Sequence, residues 1–364
     1  MTDVRESTQR RTLTTLSVSQ VVAGVGVAGA VPAGALLMFD VSGSEALSGL
    51  AQTFAVTGAA LMALPLSRLT SRGGRRRTVL TGYSIGAMGA FLAVLGGTVR
   101  VIPLILIGTM LAGAATAAAY QLRFAAVDLA EPSRRGRDLA IVMWASTIGS
   151  VLGPNLLGWS GHNAELLRLP ALVGPYLFSG TMLLAAAIVV FLFLRPDPYL
   201  VSVKLAGEEK PPAPRNFRHA LQLIRQSSAA KIALGAIVTG HIAMVGIMVM
   251  TPVHMKHVDV SLTVIGLVIS VHILGMYALA PVFGSLSDRW GRVRVIQSGV
   301  VTLLLAALIA ATAAADDAAE LGFGLFLLGL GWSMTMVSGS ALLAESLPVD
   351  DRPSVQWTSD LFMN

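Results

Sequence analysis

The sequence contains no cysteine, and charged residues make up only 13% of its 364 residues, against about 25% in an ordinary soluble domain. Without cysteine the chain has no disulfide, no thiolate metal site and no thiol catalysis. It also lacks a G-x-x-x-x-G-K-[ST] loop, an H-E-x-x-H motif and any cluster of metal-ligating residues, so nothing supports ATP-driven chemistry or metal-dependent hydrolysis. We expect no cofactor, no metal and no enzymatic activity.

Apolar residues dominate the rest of the chain, at 54% of the sequence with a mean hydropathy of +0.71. A helix needs about 20 apolar residues to cross a bilayer, whereas barrel strands would alternate over about ten residues. The sequence therefore predicts an all-α membrane protein with ten complete transmembrane helices and the start of an eleventh. The predicted spans are 14–38, 46–69, 78–98, 101–122, 139–160, 171–194, 232–252, 262–286, 295–314 and 320–344.

Basic residues fix the expected orientation. If the N-terminus is cytoplasmic, all but three of the 26 lysines and arginines fall on the cytoplasmic side, the exceptions being Arg100, Arg168 and Lys256. This distribution fits the positive-inside rule. The net charge of +6 is therefore interpreted as a topology signal, and no nucleic acid partner is expected. We predict a multi-pass protein of the plasma membrane, which is the inner membrane in a bacterium with two membranes.

The chain divides at a polar, proline-rich stretch. Residues 195–230 form a predicted cytoplasmic linker between a six-helix bundle at 1–194 and a second bundle at 231–364 with four complete helices. The two halves repeat at an offset of 217 residues, and parallel repeats of this kind build many transporters. A six-plus-six repeat would continue beyond the last span, so we expect the chain to be a fragment or a natural truncation. The positions that match are Leu69, Arg72, Gly74, Arg75 and Arg77 with Leu286, Arg289, Gly291, Arg292 and Arg294.

The strongest motif is GSLSDRWGR at 284–292, in the loop after the eighth predicted span. It resembles the G-x-x-x-D-R-x-G-R loop signature of the major facilitator superfamily. Gly284 allows close helix approach, and Asp288 can meet the positive N-terminus of the helix that starts near Arg137. The resemblance implies two pseudo-symmetric helical bundles and a conformational latch on the cytoplasmic side. Its residues would be Gly284, Asp288, Arg289, Gly291 and Arg292.

The first-half copy of this loop, SRLTSRGGRR at 67–76, has Ser67 and Ser71 in place of the glycine and the aspartate. It is either a second latch or mainly a determinant of topology. Two acids at equivalent span ends, Asp128 and Glu345, are predicted to form a charge relay with the loop arginines and with Arg123. The latch candidates in this copy are Arg72, Gly74, Arg75 and Arg76.

The fifth span carries GSVLGPNLLG at 149–158, which resembles the G-x-x-x-G-P-x-x-G-G signature of proton-coupled exporters in the same superfamily. Small residues every four positions let a neighbouring helix approach, and proline bends the helix. Leu157 replaces the first glycine of the terminal pair, and the first span lacks the acid that drug exporters usually carry there. The matching positions are Gly149, Gly153, Pro154 and Gly158.

Two histidines lie near the middle of predicted spans, His241 and His272. An ionisable group inside a membrane is costly unless it faces a cavity or a partner, and a histidine with a pKa of about 6.5 can load and release protons. The alternative is a neutral imidazole satisfied by a hydroxyl or a carbonyl. Weaker candidates for the cavity are Gln52, Asn155, Trp144, Tyr277 and Trp332.

Three hypotheses follow from these observations. The first is a proton-coupled antiporter for efflux of a small organic molecule, and the second is an uptake symporter or uniporter for a polar metabolite. The third is a shortened membrane protein that does not transport. The expected partners are a small-molecule substrate, protons and the lipid bilayer, and a monomer is favoured.

Overall fold

The computed structural model describes residues 2–206, 217–256, 262–314, 316–348 and 351–363. Within these ranges the regular elements are helices, and no strand occurs. Two single 3-10 turns accompany fifteen α-helices. The α-helices are α1 (Thr2–Ser42), α2 (Glu45–Ser48), α3 (Leu50–Thr98), α4 (Ile102–Ala125), α5 (Arg135–Asn155), α6 (Leu157–Leu166), α7 (Gly174–Phe193), α8 (Pro198–Leu205), α9 (Phe217–Gln226), α10 (Ser228–Lys256), α11 (Leu262–Tyr277), α12 (Ala280–Trp290), α13 (Arg292–Thr312), α14 (Ala318–Glu345) and α15 (Arg352–Met363).

Large apolar side chains lie on the outside of these helices. On α13, Leu304 is 65% exposed and Leu308, one turn later, is 61% exposed. A contiguous apolar surface of this kind is stable against lipid and not against water. Among the described residues, eight helices are long and apolar enough to cross a bilayer, or nine if the bent pair α5 and α6 counts as one crossing. The all-helical membrane architecture agrees with the sequence, while this count falls short of the ten predicted spans.

The difference arises mainly at α3, which runs for 49 residues but is interrupted at Gly74. The backbone of Gly74 has φ 83° and ψ 175°, a conformation that glycine adopts without a steric penalty. Thr70 and Thr78 lie equally far from Gly74 along the chain, and their hydroxyl oxygens are 2.8 Å apart. Thr78 also donates to the carbonyl of Leu66 at 3.4 Å. The segments before and after Gly74 therefore fold back on each other.

The same turn recurs between α12 and α13. Gly291, which the repeat aligns with Gly74, has φ 97° and ψ 145°. At both places a positive φ reverses the chain directly before an arginine that begins the next helical segment, Arg75 in the first half and Arg292 in the second. The internal repeat seen in the sequence is thus present in the backbone.

The fifth predicted span is broken. Its first part (132–153) and its second part (157–166) meet at an angle of 58°. Pro154 lies at this break, where a proline removes one backbone hydrogen bond of the helix. The side chains of Pro154 and Asn155 lie outside the described part of the structure.

Two sets of helices form separate apolar cores. Tyr83 and Leu183 belong to a core built by α1, α3, α4 and α7, whereas Ile237 and Trp332 belong to a core built by the helices from α10 to α14. Helix α5 contacts both sets, because Leu139 near its start joins the second core while its later turns pack on α1. The start of α5 is therefore where the two halves meet.

Candidate functional site

Asp288, near the end of α12, caps the N-terminus of α5. Its carboxylate accepts hydrogen bonds from the backbone N–H groups of Gly136 at 3.0 Å and Arg137 at 2.9 Å. These donors have no partner inside the helix, and the helix dipole favours a negative charge at this end. The backbones of α5 and α12 are so close that a Cβ atom on Gly136 would lie 2.7 Å from the carbonyl oxygen of Gly284. The contact joins the second half of the protein to the first.

Arg292 ties this contact to α14. Its guanidinium pairs with Asp288 and with Glu345, the latter at 2.8 Å, and it donates to the carbonyl of Pro132 at 3.1 Å. Arg289, by contrast, has an exposed side chain. The structure thus brings Gly284, Asp288, Arg292 and Glu345 together and leaves Arg289 at the surface.

The corresponding arginine of the first half, Arg75, is completely buried. It donates to Asp128 at 2.8 and 3.2 Å, to Gln121 at 2.8 Å and to Gln356 of α15 at 2.7 Å. Ser71, at the position of Asp288, donates instead to the carbonyl of Ser67 in its own helix at 3.3 Å. Arg75 and Gln356 therefore make one link from this half to the other bundle.

The remaining latch candidates of the first half, Gly74, Arg72 and Arg76, form no hydrogen bond or ion pair with the second half among the described residues. Arg72 is exposed, and the guanidinium of Arg76 donates to the carbonyl of Phe191 at 2.8 Å. The carboxylate of Asp197 accepts the backbone N–H of Arg76 at 2.7 Å. A Cβ atom on Gly74 would overlap this carboxylate, which is a second reason why glycine is required at the turn.

Arg123 does not join the Asp128 pair as predicted. It forms an ion pair with Asp360 of α15 at 2.5 Å, in which the two side chains are only 6% and 3% exposed. Gln121 connects the two networks, because its amide donates to Asp360 at 2.8 Å while its oxygen accepts from Arg75. Buried charges of this kind persist only when paired and hydrogen-bonded.

A cavity of about 160 Å³ lies above this network, between α1, α3, α4 and α7. None of its described lining residues is charged, and its polar groups include Gln52, Tyr120, Tyr176 and Ser179. Tyr120 also touches Arg123, whose guanidinium carbon is 5.6 Å from the ring centre. Gln52 lines this cavity, and its role there remains a prediction. Within the described residues no group of three or more His, Cys, Asp or Glu side chains is placed to hold a metal.

The small residues of α5 pack against α1. A Cβ atom on Gly149 would lie 2.7 Å from the Cα of Gly24, and one on Gly153 would lie 2.8 Å from the nitrogen of Gly29. This is the close helix approach that the spacing predicts. Gly158 has open space around it and takes no part in this contact.

The two histidines make different contacts. The Nδ1 atom of His241 accepts from Trp332 at 3.2 Å. The Nδ1 atom of His272 is 2.8 Å from the carbonyl oxygen of Leu325, and its fully buried ring joins α11 to α14. A ring nitrogen beside a carbonyl must donate, so the geometry of His272 fits a packing histidine. A coupling role for His241 remains a prediction.

Sequence reasoning missed Asp360, Gln121 and Gln356. Asp360 carried a usable signal, because it is an acid within the predicted start of the eleventh span at 354–364. The glutamines carried none, since an amide in a helix is unremarkable until its neighbours are known.

Comparison with known proteins identifies the family. The Major Facilitator Superfamily model matches residues 16–357. The MFS-type transporter YdeG of Bacillus subtilis (strain 168) is 35% identical over 359 residues, covering 99% of this chain and 84% of YdeG.

Two solved structures share the fold at low identity. The human organic anion transporter MFSD10 (TETRAN) gives a TM-score of 0.76 at 15% identity, covering 98% of this chain and 91% of MFSD10. The proton:xylose symporter XylE gives 0.70 at 14% identity, covering 99% of this chain and 88% of XylE. The latch-like loop, the paired halves and these matches lead to one conclusion: the chain belongs to the Major Facilitator Superfamily, whose members are membrane transporters and not enzymes.

Proposed function

We propose that this protein is a secondary active transporter that exports a small organic molecule in exchange for protons. The arginine-rich face is the end of the molecule that holds the Gly74 and Gly291 turns. The observation that carries the proposal is the position of the neutral cavity next to this face, which is closed. Contacts between the two halves gather at this face, and the neutral cavity lies on its inner side.

Three contacts close the arginine-rich face: Asp288 with the start of α5, Arg75 with Gln356, and Arg123 with Asp360. Each joins the first half to the second, so all must break before the two halves can separate on this side. Rocking of two halves around a central site is the common mechanism of secondary transporters. In this proposal the structure is a state that faces away from the arginine-rich side, and the latch is formed.

The proposed topology has ten complete spans and the start of an eleventh. At about 1.5 Å per residue, α3 would be about 74 Å long as one rod, more than twice the hydrocarbon thickness of about 30 Å. Its reversal at Gly74 supports two crossings. The basic residues support a cytoplasmic location for the N-terminus and for the arginine-rich face, in the plasma membrane.

Proton coupling is assigned to Asp360. The first span lacks an acid, whereas Asp360 is a buried carboxylate held by Arg123 and Gln121 close to the cavity floor at Tyr120. Protonation would neutralise Asp360 and remove its attraction to Arg123, which releases α15 from α4. Binding of a proton to Asp360 would thus allow the two halves to move apart on this side, which couples proton transfer to alternating access.

The cavity favours an uncharged or amphipathic substrate. It offers amide and hydroxyl groups and two tyrosines but no charged side chain that would pair with an ionic substrate. Aromatic rings and amides together suit a molecule with an apolar body and a few hydrogen-bonding groups.

Uptake by symport is the second candidate function. It is favoured by the missing acid in the first span, and the solved structure of XylE is described as that of a proton:xylose symporter. The small-residue contact between α5 and α1 favours export, because it belongs to the exporter-type motif.

Transport assays in everted membrane vesicles distinguish export from uptake by symport. The vesicles carry an outward-facing cytoplasmic side and a pH-sensitive dye inside, and candidate neutral compounds are added in turn. Export predicts substrate accumulation inside together with proton efflux, while symport predicts no accumulation against the imposed proton gradient. Vesicles with the Asp316→Asn variant, which changes an exposed acid, serve as the matched control for Asp360→Asn.

A further inference from the structure

A cavity of about 420 Å³ lies beside the Gly74 turn, between α3, the end of α7 and α8. It is separate from the neutral cavity that Gln52 and Tyr120 line, and from the contacts that close the arginine-rich face. Its lining is unusual because cations predominate. The basic residues that line it are Arg72, Arg76, Arg77, Arg195 and Lys204.

Asp197 is the one acid among the described lining residues, and its carboxylate is already occupied. One oxygen accepts the N–H of Arg76 at 2.7 Å, and the other accepts the N–H groups of Tyr199 at 3.0 Å and Leu200 at 3.2 Å. Asp197 therefore caps α8 and the segment after Gly74 without forming an ion pair with a lining cation. The cavity keeps a strong positive field.

The cations themselves are available. Arg72, Arg77 and Lys204 are exposed, and none of them forms an ion pair within the described residues. Like charges held together around a concave surface raise the local potential and attract anions. A phosphate group, with several acceptor oxygens, matches such a set of arginine and lysine donors.

An apolar border surrounds the same end of α7. Phe191, Leu192 and Phe193 are 46%, 50% and 52% exposed, as expected at the boundary between hydrocarbon and headgroups. A second cavity of about 400 Å³ reaches this end of α7 from the α1 side. Val18, Val189 and Phe193 form its apolar part, and the other lining residues are Arg11, Thr14 and Thr15. A ligand that reaches both places must have an anionic head and an apolar tail.

We propose that the basic cavity binds the phosphate group of an anionic phospholipid, with an acyl chain lying along the groove between α1 and α7. Basic pockets next to membrane helices recognise anionic headgroups through the same charge attraction. Because the cavity is formed by the Gly74 turn and by Asp197, a bound lipid would connect α3 to the segment that follows α7.

The internal repeat supplies a matched control. Arg289 and Arg294 align with Arg72 and Arg77 and are also exposed, so their replacement removes the same charge from the same kind of turn. Only the first-half pair lies in the basic cavity together with Arg195 and Lys204. General attraction between a cationic surface and anionic lipid affects both pairs equally.

The test counts lipids bound to the full chain in detergent by native mass spectrometry, with phosphatidylglycerol, phosphatidylcholine or inorganic phosphate as the probe. We expect wild-type protein to bind phosphatidylglycerol in preference to phosphatidylcholine. The Arg72→Gln/Arg77→Gln variant should bind it about thirtyfold more weakly, since each basic residue near an anionic surface contributes about fivefold. The Arg289→Gln/Arg294→Gln variant should stay within about twofold of wild type.

Equal loss in both variants, or equal binding of the two lipids by wild type, would overturn the proposal. If inorganic phosphate at millimolar concentration displaced phosphatidylglycerol completely, the ligand would be a soluble phosphate and the lipid assignment would be wrong. Lys204→Gln, a change on the exposed side of the short helix α8, repeats the test if the double variant fails to elute as a single species. Its binding must also be weaker than wild type.

Discussion

Arg75 and Asp128 form an ion pair with a 2.8 Å separation in which both side chains are fully buried. Arg292 and Glu345, which lie 217 residues further along the chain, form the equivalent pair, also at 2.8 Å. The two halves therefore repeat this ion pair as well as the sequence positions that form it. It differs in environment, because Glu345 remains 25% exposed.

This difference in burial predicts different costs for the same substitution. Arg75→Gln leaves Asp128 as an uncompensated buried carboxylate, which costs about 3–5 kcal/mol of stability. Arg292→Gln also removes a partner of Asp288, but that carboxylate keeps its hydrogen bonds to the N–H groups of Gly136 and Arg137. Glu345 is left in contact with solvent, so loss of its pair should cost about 1 kcal/mol or less. Thermal unfolding of the purified variants in detergent measures both, and the Arg75 variant should unfold at a clearly lower temperature.

The double variant Arg75→Gln/Asp128→Asn provides the internal check. Removing both charges eliminates the unpaired carboxylate, so part of the lost stability should return. If the double variant were less stable than Arg75→Gln alone, the cost would come from Gln121 and Gln356, which Arg75 also contacts.

Asp288→Asn should weaken the closure of the arginine-rich face. The substitution removes the charge that caps α5 and pairs with Arg292, and hydrogen bonds to a charged group contribute about 1.5–3 kcal/mol. The natural chain has no cysteine, so a single Ala140→Cys reporter can be read without background. Ala140 is fully buried against Gly284, and its thiol should react with a maleimide about tenfold to a hundredfold faster in the Asp288→Asn background.

Asp316→Asn is the control for that measurement, because it removes an exposed acid at the opposite end of α14. An unchanged labelling rate in Asp288→Asn would show that the cap does not hold the face closed.

Asp360→Asn should separate substrate exchange from proton movement. Asparagine keeps the shape of the side chain and its contact with Gln121 but cannot be protonated at this position. We expect the variant to exchange labelled substrate across the membrane while losing accumulation driven by a pH gradient. His241→Ala is the parallel test of the histidine hypothesis, and loss of coupling there with normal coupling in Asp360→Asn would move the proton site to His241.

The second-half latch could be predicted from sequence because its chemistry is local. Gly284, Asp288 and Arg292 stand at fixed spacings in one loop, and a carboxylate at that position has an obvious partner in the N-terminus of a facing helix. The structure places Asp288 on the start of α5, as this argument expected. The pairing of Asp128 and Glu345 with loop arginines followed from the repeat in the same way.

The partner of Arg123 could not be predicted. Arg123 lies five residues before Asp128, which suggested a shared network, but α4 ends at Ala125 and the chain turns before it reaches Asp128. The relative direction of the two side chains therefore does not follow from their spacing. Its actual partner, Asp360, is 237 residues away, and only the packing of α15 against α4 brings the two together. This contact depends on how α15 docks on α4, which no local pattern encodes.

The first half lacks both the acid at Ser71 and one of the backbone donors on α15 that would bind such an acid. Asp288 binds the N–H groups of Gly136 and Arg137, and the repeat aligns these residues with Pro353 and Ser354 at the start of α15. Proline has no N–H, so an acid at Ser71 would find one donor fewer than Asp288 does. Ser71→Asp alone should therefore slow labelling of a buried reporter at the arginine-rich face by less than about threefold.

Combining Ser71→Asp with Pro353→Gly restores both donors and should slow that labelling by about tenfold relative to Pro353→Gly alone, since a charge-assisted cap contributes about 1.5 kcal/mol or more. The reporter is Ser359→Cys, which is fully buried on α15, the helix that contacts α3. Additive effects of the two substitutions would mean that the aspartate does not reach α15. If labelling slows only in the double variant, the acid at position 71 and the N–H at position 353 belong to one contact, and the first half lacks both of its partners.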